Sequence, residues 1–162
     1  MDELTPLRRL LVRLDYPMAI VTVAVDGQRS GCLVGFHTQC SIHPERYAVF
    51  LSKRNRTYRL AESAGHLGVH FLSADQRGLA ELFGGHTTDE IDKLARVAHH
   101  PGPGGVPLID AAAHRFAGRI LQRLDCGDHV CFVLDPLHAE GADDLTQLGF
   151  QEVVDLEPGH PP

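Results

Sequence analysis

The run Ala19–Val25 is apolar and rich in β-branched residues, and it stops at Asp26-Gly27. An Asp-Gly pair supplies the positive φ angles that a tight two-residue hairpin turn demands. A second apolar run, residues 31–36, follows almost at once. This pairing predicts an antiparallel hairpin early in the chain. Further strands are expected at 47–51, 67–72, 116–124 and 129–134, each bounded by glycine, proline or polar residues. Helical spacing is confined to short pieces. Leu4, Leu7, Leu11 and Leu14 recur on one side of residues 3–14, with Arg8, Arg9 and Arg13 between them. Asn55 is a natural N-cap for a short helix that Gly65 stops. Leu79, Leu82 and Phe83 share one side of residues 75–83, and Thr87-Thr88-Asp89-Glu90 reads as a capping box. Residues 99–107 hold three prolines and three glycines and read as a loop. Many short strands with interspersed short helices predict a mainly β fold, a modest β-barrel carrying helical insertions.

Length and composition bound the answer. The 162 residues suit a single domain spanning 1–162, and the 43% hydrophobic content can build a core, which excludes wholesale disorder. No stretch of about 18 uncharged apolar residues could form a membrane-spanning helix. The acidic start Met1-Asp2-Glu3 lacks a signal-peptide core, so a cytoplasmic location is expected. Residues 158–162 read as a frayed tail. Net charge is −6, divided as +4 over residues 1–60 and −10 over the remainder. That balance argues against nucleic-acid binding, which needs a basic surface. It leaves the basic cluster at 53–59 free to hold a small anion. Four cysteines form no Cys-x-x-Cys pair, so reduced thiols are expected. Cys126 and Cys131 flank Gly127-Asp128-His129-Val130, but their spacing fits no common structural zinc pattern. No metal site is expected.

Three segments could carry chemistry. Asn55-Arg56-Thr57 opens a helix, whose unpaired N–H groups favour phosphate. Lys53, Arg54 and Arg59 add charge there; the same residues also describe an ordinary capped surface helix. Gly35, Phe36, His37, Thr38, Gln39, Cys40 and Ser41 gather small donors and acceptors after a strand, suited to a flat heterocycle. They read equally as a polar turn. His129 follows a Gly-Asp turn, where a carboxylate can tune its charge; a plain hairpin histidine is the alternative.

Taken in order, these segments resemble the flavin reductase-like, FMN-binding split-barrel family. Tyr16-Pro17-Met18-Ala19-Ile20-Val21-Thr22 is similar to its opening strand. Residues 31–41 with Ile42-His43-Pro44 resemble its flavin-contacting strand and following turn. Lys53-Arg54-Asn55-Arg56-Thr57-Tyr58 resembles the phosphate-side segment. Leu79-Ala80-Glu81-Leu82-Phe83, Asp92-Lys93, Gly105-Val106-Pro107-Leu108 and Gly127-Asp128-His129 match later landmarks. The resemblance implies a Greek-key-like homodimer of split barrels with FMN, or FAD, at the subunit interface. It implies NADH or NADPH as reductant and reduced flavin made available to a separate monooxygenase. Gly35 to Ser41 would line the isoalloxazine and ribityl chain. Asn55, Arg56 and Thr57 would lie near the phosphate with Lys53 nearby, and His129 near the nicotinamide. Hydride transfer between stacked rings asks mainly for positioning. No G-x-G-x-x-G fingerprint follows a strand, so a Rossmann-type dinucleotide site is not supported. A non-enzymatic flavin-binding or electron-transfer protein is the competing expectation.

Overall fold

The computed structural model describes residues 4–85, 92–141 and 144–156. These residues form nine strands and three short α-helices: α1 (Pro6–Leu11), β1 (Ala19–Val25), β2 (Gln28–Val34), β3 (His37–Ser41), β4 (Arg46–Ser52), α2 (Arg56–Ala61), β5 (His66–Phe71), α3 (Arg77–Gly84), β6 (His99–Pro101), β7 (Pro107–Ile109), β8 (His114–Asp125) and β9 (His129–Glu140). Seven strands form one antiparallel sheet in the order β2-β1-β5-β8-β9-β4-β3, and β6 pairs with β7. The Asp26-Gly27 turn joins β1 to β2 with φ angles of 50° and 77°, the left-handed pair that a two-residue hairpin requires.

The outermost strands, β2 and β3, are consecutive in the chain and joined only by Gly35 and Phe36. Three backbone steps span at most about 11 Å. Seven strands laid flat would hold their edges roughly 29 Å apart. The sheet therefore curls, and Phe36 in the link extends the β3–β4 pairing, its carbonyl accepting from Phe50 N at 3.0 Å.

Curling gives the sheet an inside and an outside. Ala19, Val21 and Val23 of β1 point into one cluster with Val49, Leu51, Leu67, Val69, Phe132 and Leu134, which Ala61 of α2 plugs. Met18 and Ile20 face the other way, against Leu72, Ala80 and Phe83 of α3, Ile109 and Leu148. Both faces of β1 are thus covered, which explains its unbroken apolar run. The acidic C-terminal stretch docks on this second cluster. Leu148 is fully buried and exchanges backbone bonds with Met18 and Leu72.

Several expectations shift. Residues 99–107 are not a plain loop, because β6 and β7 pair across them. Residues 37–41 form a strand rather than a turn. Strand β9 runs well past its expected end at 134, while β8 keeps close to its expected bounds. The capping box at 87–90 and the tail at 158–162 lie outside the described residues.

His70 is fully buried in β5 and ties three strands together. Ile109 N donates to its Nε2 at 3.0 Å, so its Nδ1 carries the proton and donates to the Ile20 carbonyl at 3.0 Å. Burial pushes its pKa down to about 4, against the partial pull of the Ile20 bond. Between that value and the unfolded one near ~6.5, only the unfolded chain binds the proton. Stability is therefore full above neutral pH and falls as pH drops towards 4. Urea unfolding at pH 7 and pH 4.5 should show a loss about 2 kcal/mol larger in the wild type than in His70→Gln.

Candidate functional site

The β3–β4–β9 pairing places three sequence segments side by side. Phe36 begins the first. Its ring is 49% exposed and lies 5.7 Å from the Tyr16 ring and 5.2 Å from the His129 ring, centroid to centroid. His129 opens β9 opposite Ser52 at the end of β4. Its Nδ1 lies 2.7 Å from Asp128 Oδ1, which fixes the ring, and the same bond holds the Asp128 carboxyl below its ordinary pKa. The structure thus brings together Phe36 and His129, residues 93 positions apart in the numbering.

Strand β3 continues from Phe36. Among the described residues it pairs only with β4, so its other edge offers backbone donors and acceptors. Thr38, Gln39 and Cys40 are exposed on it, and Ser41 follows a bulge. Thr38 Oγ1 and Gln39 Nε2 make only local bonds, to the Gln39 and Ser41 carbonyls at 3.2 and 3.3 Å. Gly35 carries no positive φ, and an added Cβ would meet Met18 at ordinary contact distance. The protein's own packing therefore does not require glycine at that position.

His37 has a different task. Its Nε2 donates to the Pro17 carbonyl at 2.5 Å, and its Nδ1 accepts the Tyr47 hydroxyl at 2.6 Å. Burial pushes the imidazole pKa down and the Tyr47 phenol up to about 12. His37 locks β3 to the entry of β1 and to β4. Tyr47, the partner in that lock, carries no sequence signal that distinguishes it from a core aromatic.

The anion-side segment is also redistributed. Asn55 caps α2 as its sequence position suggests, accepting the Thr57 N–H at 2.8 Å. Thr57 is fully buried, with its hydroxyl 2.8 Å from Ser30 Oγ on β2. Lys53 turns towards the β8–β9 hairpin, where Nζ meets Asp125 Oδ2 at 2.8 Å and its backbone N donates to the Asp128 carbonyl. The cation that opens the helix is Arg56, partly exposed beside the β1–β2 turn. Lys93 of the Asp-Lys landmark is buried and donates to the Phe83 carbonyl at the end of α3, 2.9 Å away. A cation there suits the negative end of a helix. Cys126 is exposed and Cys131 buried, and no group of three or more His, Cys, Asp or Glu among the described residues could hold a metal ion.

The donor set suits a flavin: an open strand edge for a heterocycle rimmed with donors and acceptors, an aromatic ring beside a histidine, and an arginine at a helix start. Two variants separate the roles at the anion end. Thr57→Val should lower the unfolding free energy by about 1–2 kcal/mol through loss of the buried Ser30 bond. It should leave FMN affinity within about threefold, because no charge is lost. Arg56→Gln, by contrast, should weaken FMN about tenfold. Denaturant melts and flavin fluorescence titrations measure the two effects.

The chain is similar to known proteins in sequence and fold. The flavin reductase like domain model matches residues 11–153. The ferric-chelate reductase (NAD(P)H) of Archaeoglobus fulgidus is 26% identical over 152 residues, which cover 93% of this chain and 90% of that protein. The FMN reductase (NADH) of Stutzerimonas stutzeri is 28% identical over 145 residues, 88% of this chain and 83% of that one. The crystal structure of an FMN-binding protein from Thermus thermophilus superimposes with a TM-score of 0.76 at 25% identity, over 86% of this chain and 78% of that one. With sequence match and antiparallel β architecture in agreement, the chain belongs to the flavin reductase-like family.

Proposed function

We propose that this chain is an NAD(P)H:flavin oxidoreductase that reduces FMN or FAD. The observation that carries the proposal is the meeting of Phe36, His129 and the open edge of β3 at one end of the sheet. A bound flavin supplies the hydride-accepting ring, and the protein's task is to hold two rings in register. The β3 edge, with Thr38 and Gln39, would hydrogen-bond the polar rim of the isoalloxazine. The exposed Phe36 ring offers a flat apolar surface beside it. His129, oriented by Asp128, would stand on the nicotinamide side. Arg56 and the first turn of α2 would take the phosphate, with Asn55 and Thr57 shaping that turn from behind. The names of the curated relatives support both the reaction and the reductant.

The active form in this proposal is a homodimer of split barrels, each chain one domain. Helix α1 buries no residue, and Leu7 and Leu10 on it are 61% and 65% exposed. An exposed apolar stripe of this kind calls for a covering surface, and a second copy would supply one while walling the open β3 edge. Among the described residues no helix is long and apolar enough to cross a membrane. Reduced flavin leaving such a site is available to a separate monooxygenase.

The competing reading, a flavin-binding protein without turnover, is favoured by the likeness to the Thermus thermophilus FMN-binding protein. Anaerobic addition of NADH, then NADPH, to the FMN-loaded protein separates the two. Reductase function predicts that at least one nucleotide bleaches the visible flavin bands. Bound flavin that neither nucleotide bleaches would establish the binding protein instead. His129→Ala should slow the bleaching about tenfold while FMN affinity stays within about threefold, the signature of lost positioning. Sedimentation of the loaded protein should give a dimer; a monomer that binds flavin tightly would contradict the assembly.

A further inference from the structure

An open cleft of about 460 Å³ lies between the β1–β2 turn and the start of α2, lined by Gly27, Gln28, Arg29, Arg56 and Asp92. Flavin reduction as described above uses neither Arg29 nor Asp92. Yet Arg29 is held in a definite pose. Its Nη1 donates to His99 Nε2 at 2.9 Å, and its Nη2 lies 3.1 Å from Asp92 Oδ2. His99 is fixed in turn. An arginine cannot accept a proton bond, so Nε2 is the bare nitrogen, and Nδ1–H donates to the Val97 carbonyl at 3.0 Å. These contacts use two of the five donors that a guanidinium presents in its rigid fork. The Arg29 side chain is 38% exposed and Asp92 54%, so both reach solvent at the cleft. An exposed pair of this kind adds little to stability, and the remaining donors of Arg29 are available at the cleft.

The position of the cleft suggests its occupant. Arg29 immediately precedes Ser30, whose hydroxyl meets Thr57 in the first turn of α2. Arg56 belongs to both places, opening α2 and lining the cleft. Along β2, Arg29 stands six residues before Gly35, about 20 Å at the rise of a strand. A flavin with its ring on β3 and its phosphate at Arg56 would direct whatever is attached to that phosphate towards Arg29. FMN carries nothing there. FAD carries a second phosphate, a ribose and an adenine.

We propose that the Arg29–Arg56–Asp92 cleft is an adenylate subsite, and that the chain therefore binds FAD in preference to FMN. This rests on the flavin reading above. Arg29 holds the second phosphate through its fork, the geometry in which guanidinium binds phosphate best. Asp92 keeps that fork oriented and accepts hydrogen bonds from the ribose hydroxyls. The carboxylate also speaks against a free phosphate ion, which it would repel; a nucleotide offers it hydroxyl donors beside the charge it does not want.

Fluorescence titrations of FMN and FAD against the wild type, Arg29→Gln and Asp92→Ala test this. The wild type should bind FAD at least about tenfold more tightly than FMN, a margin of ~1.4 kcal/mol. Arg29→Gln should bring the two within about threefold by weakening FAD alone; its unchanged FMN affinity shows that the fold survives. Asp92→Ala should move FAD in the same direction by a smaller factor. AMP should compete with FAD but not with FMN. Equal wild-type affinity for the two flavins would overturn the subsite, as would an Arg29→Gln variant that weakens both alike or neither. Failure of either flavin to bind at all would overturn the flavin reading itself, and the subsite with it.

Discussion

Gly35 and Phe36 are the whole connection between the two outermost strands of a seven-stranded sheet. Because two residues cannot bridge a flat sheet, the strands must curl until the end of β2 comes within that short reach of the start of β3. That closure gives the apolar residues of β1 an interior on one side and leaves the other side to α3, the segment through Ile109 and the docked C-terminal stretch. It also brings the start of α2 behind β2, where Thr57 meets Ser30, while the β3–β4–β9 pairing sets Phe36 against His129. The candidate site joins the two, with the β3–β4–β9 pairing supplying the Phe36–His129 end and the curl supplying the α2 end.

What the sequence reveals divides along the range of the interactions. The Asp26-Gly27 turn, the Asn55 cap and the Gly-Asp turn before His129 are local devices, and each stands where its residues place it. Strand β3 escapes a pattern search because His-Thr-Gln-Cys-Ser lies at a sheet edge, mostly exposed, with no apolar face to alternate. His37 reads as a site residue until its bonds to Pro17 and Tyr47 are seen. Thr57 reads as a phosphate donor until Ser30, 27 positions earlier, claims its hydroxyl. Arg29 has no local signal at all, since its partners Asp92 and His99 lie 63 and 70 positions away. Propensity and spacing carry no information about such pairs.

The uneven charge along the chain acquires a structural meaning. Basic residues of the first third pair with acidic residues of the remainder: Arg29 with Asp92, Arg46 with Asp135, and Lys53 with Asp125. Exposed pairs of this kind contribute little each to stability. Lys53 is drawn to the β8–β9 hairpin. The basic cluster is thus narrower in effect than its composition suggests.

The central claim is that a flavin lies along the free edge of β3 and ends at the start of α2. Hydrogen–deuterium exchange of the protein with and without saturating flavin tests it most directly. Backbone amides at 36–41 and 55–58 should gain protection together, with a smaller gain at the β8–β9 turn around His129. Flavin-induced protection confined to other segments, with these unchanged, would contradict the placement.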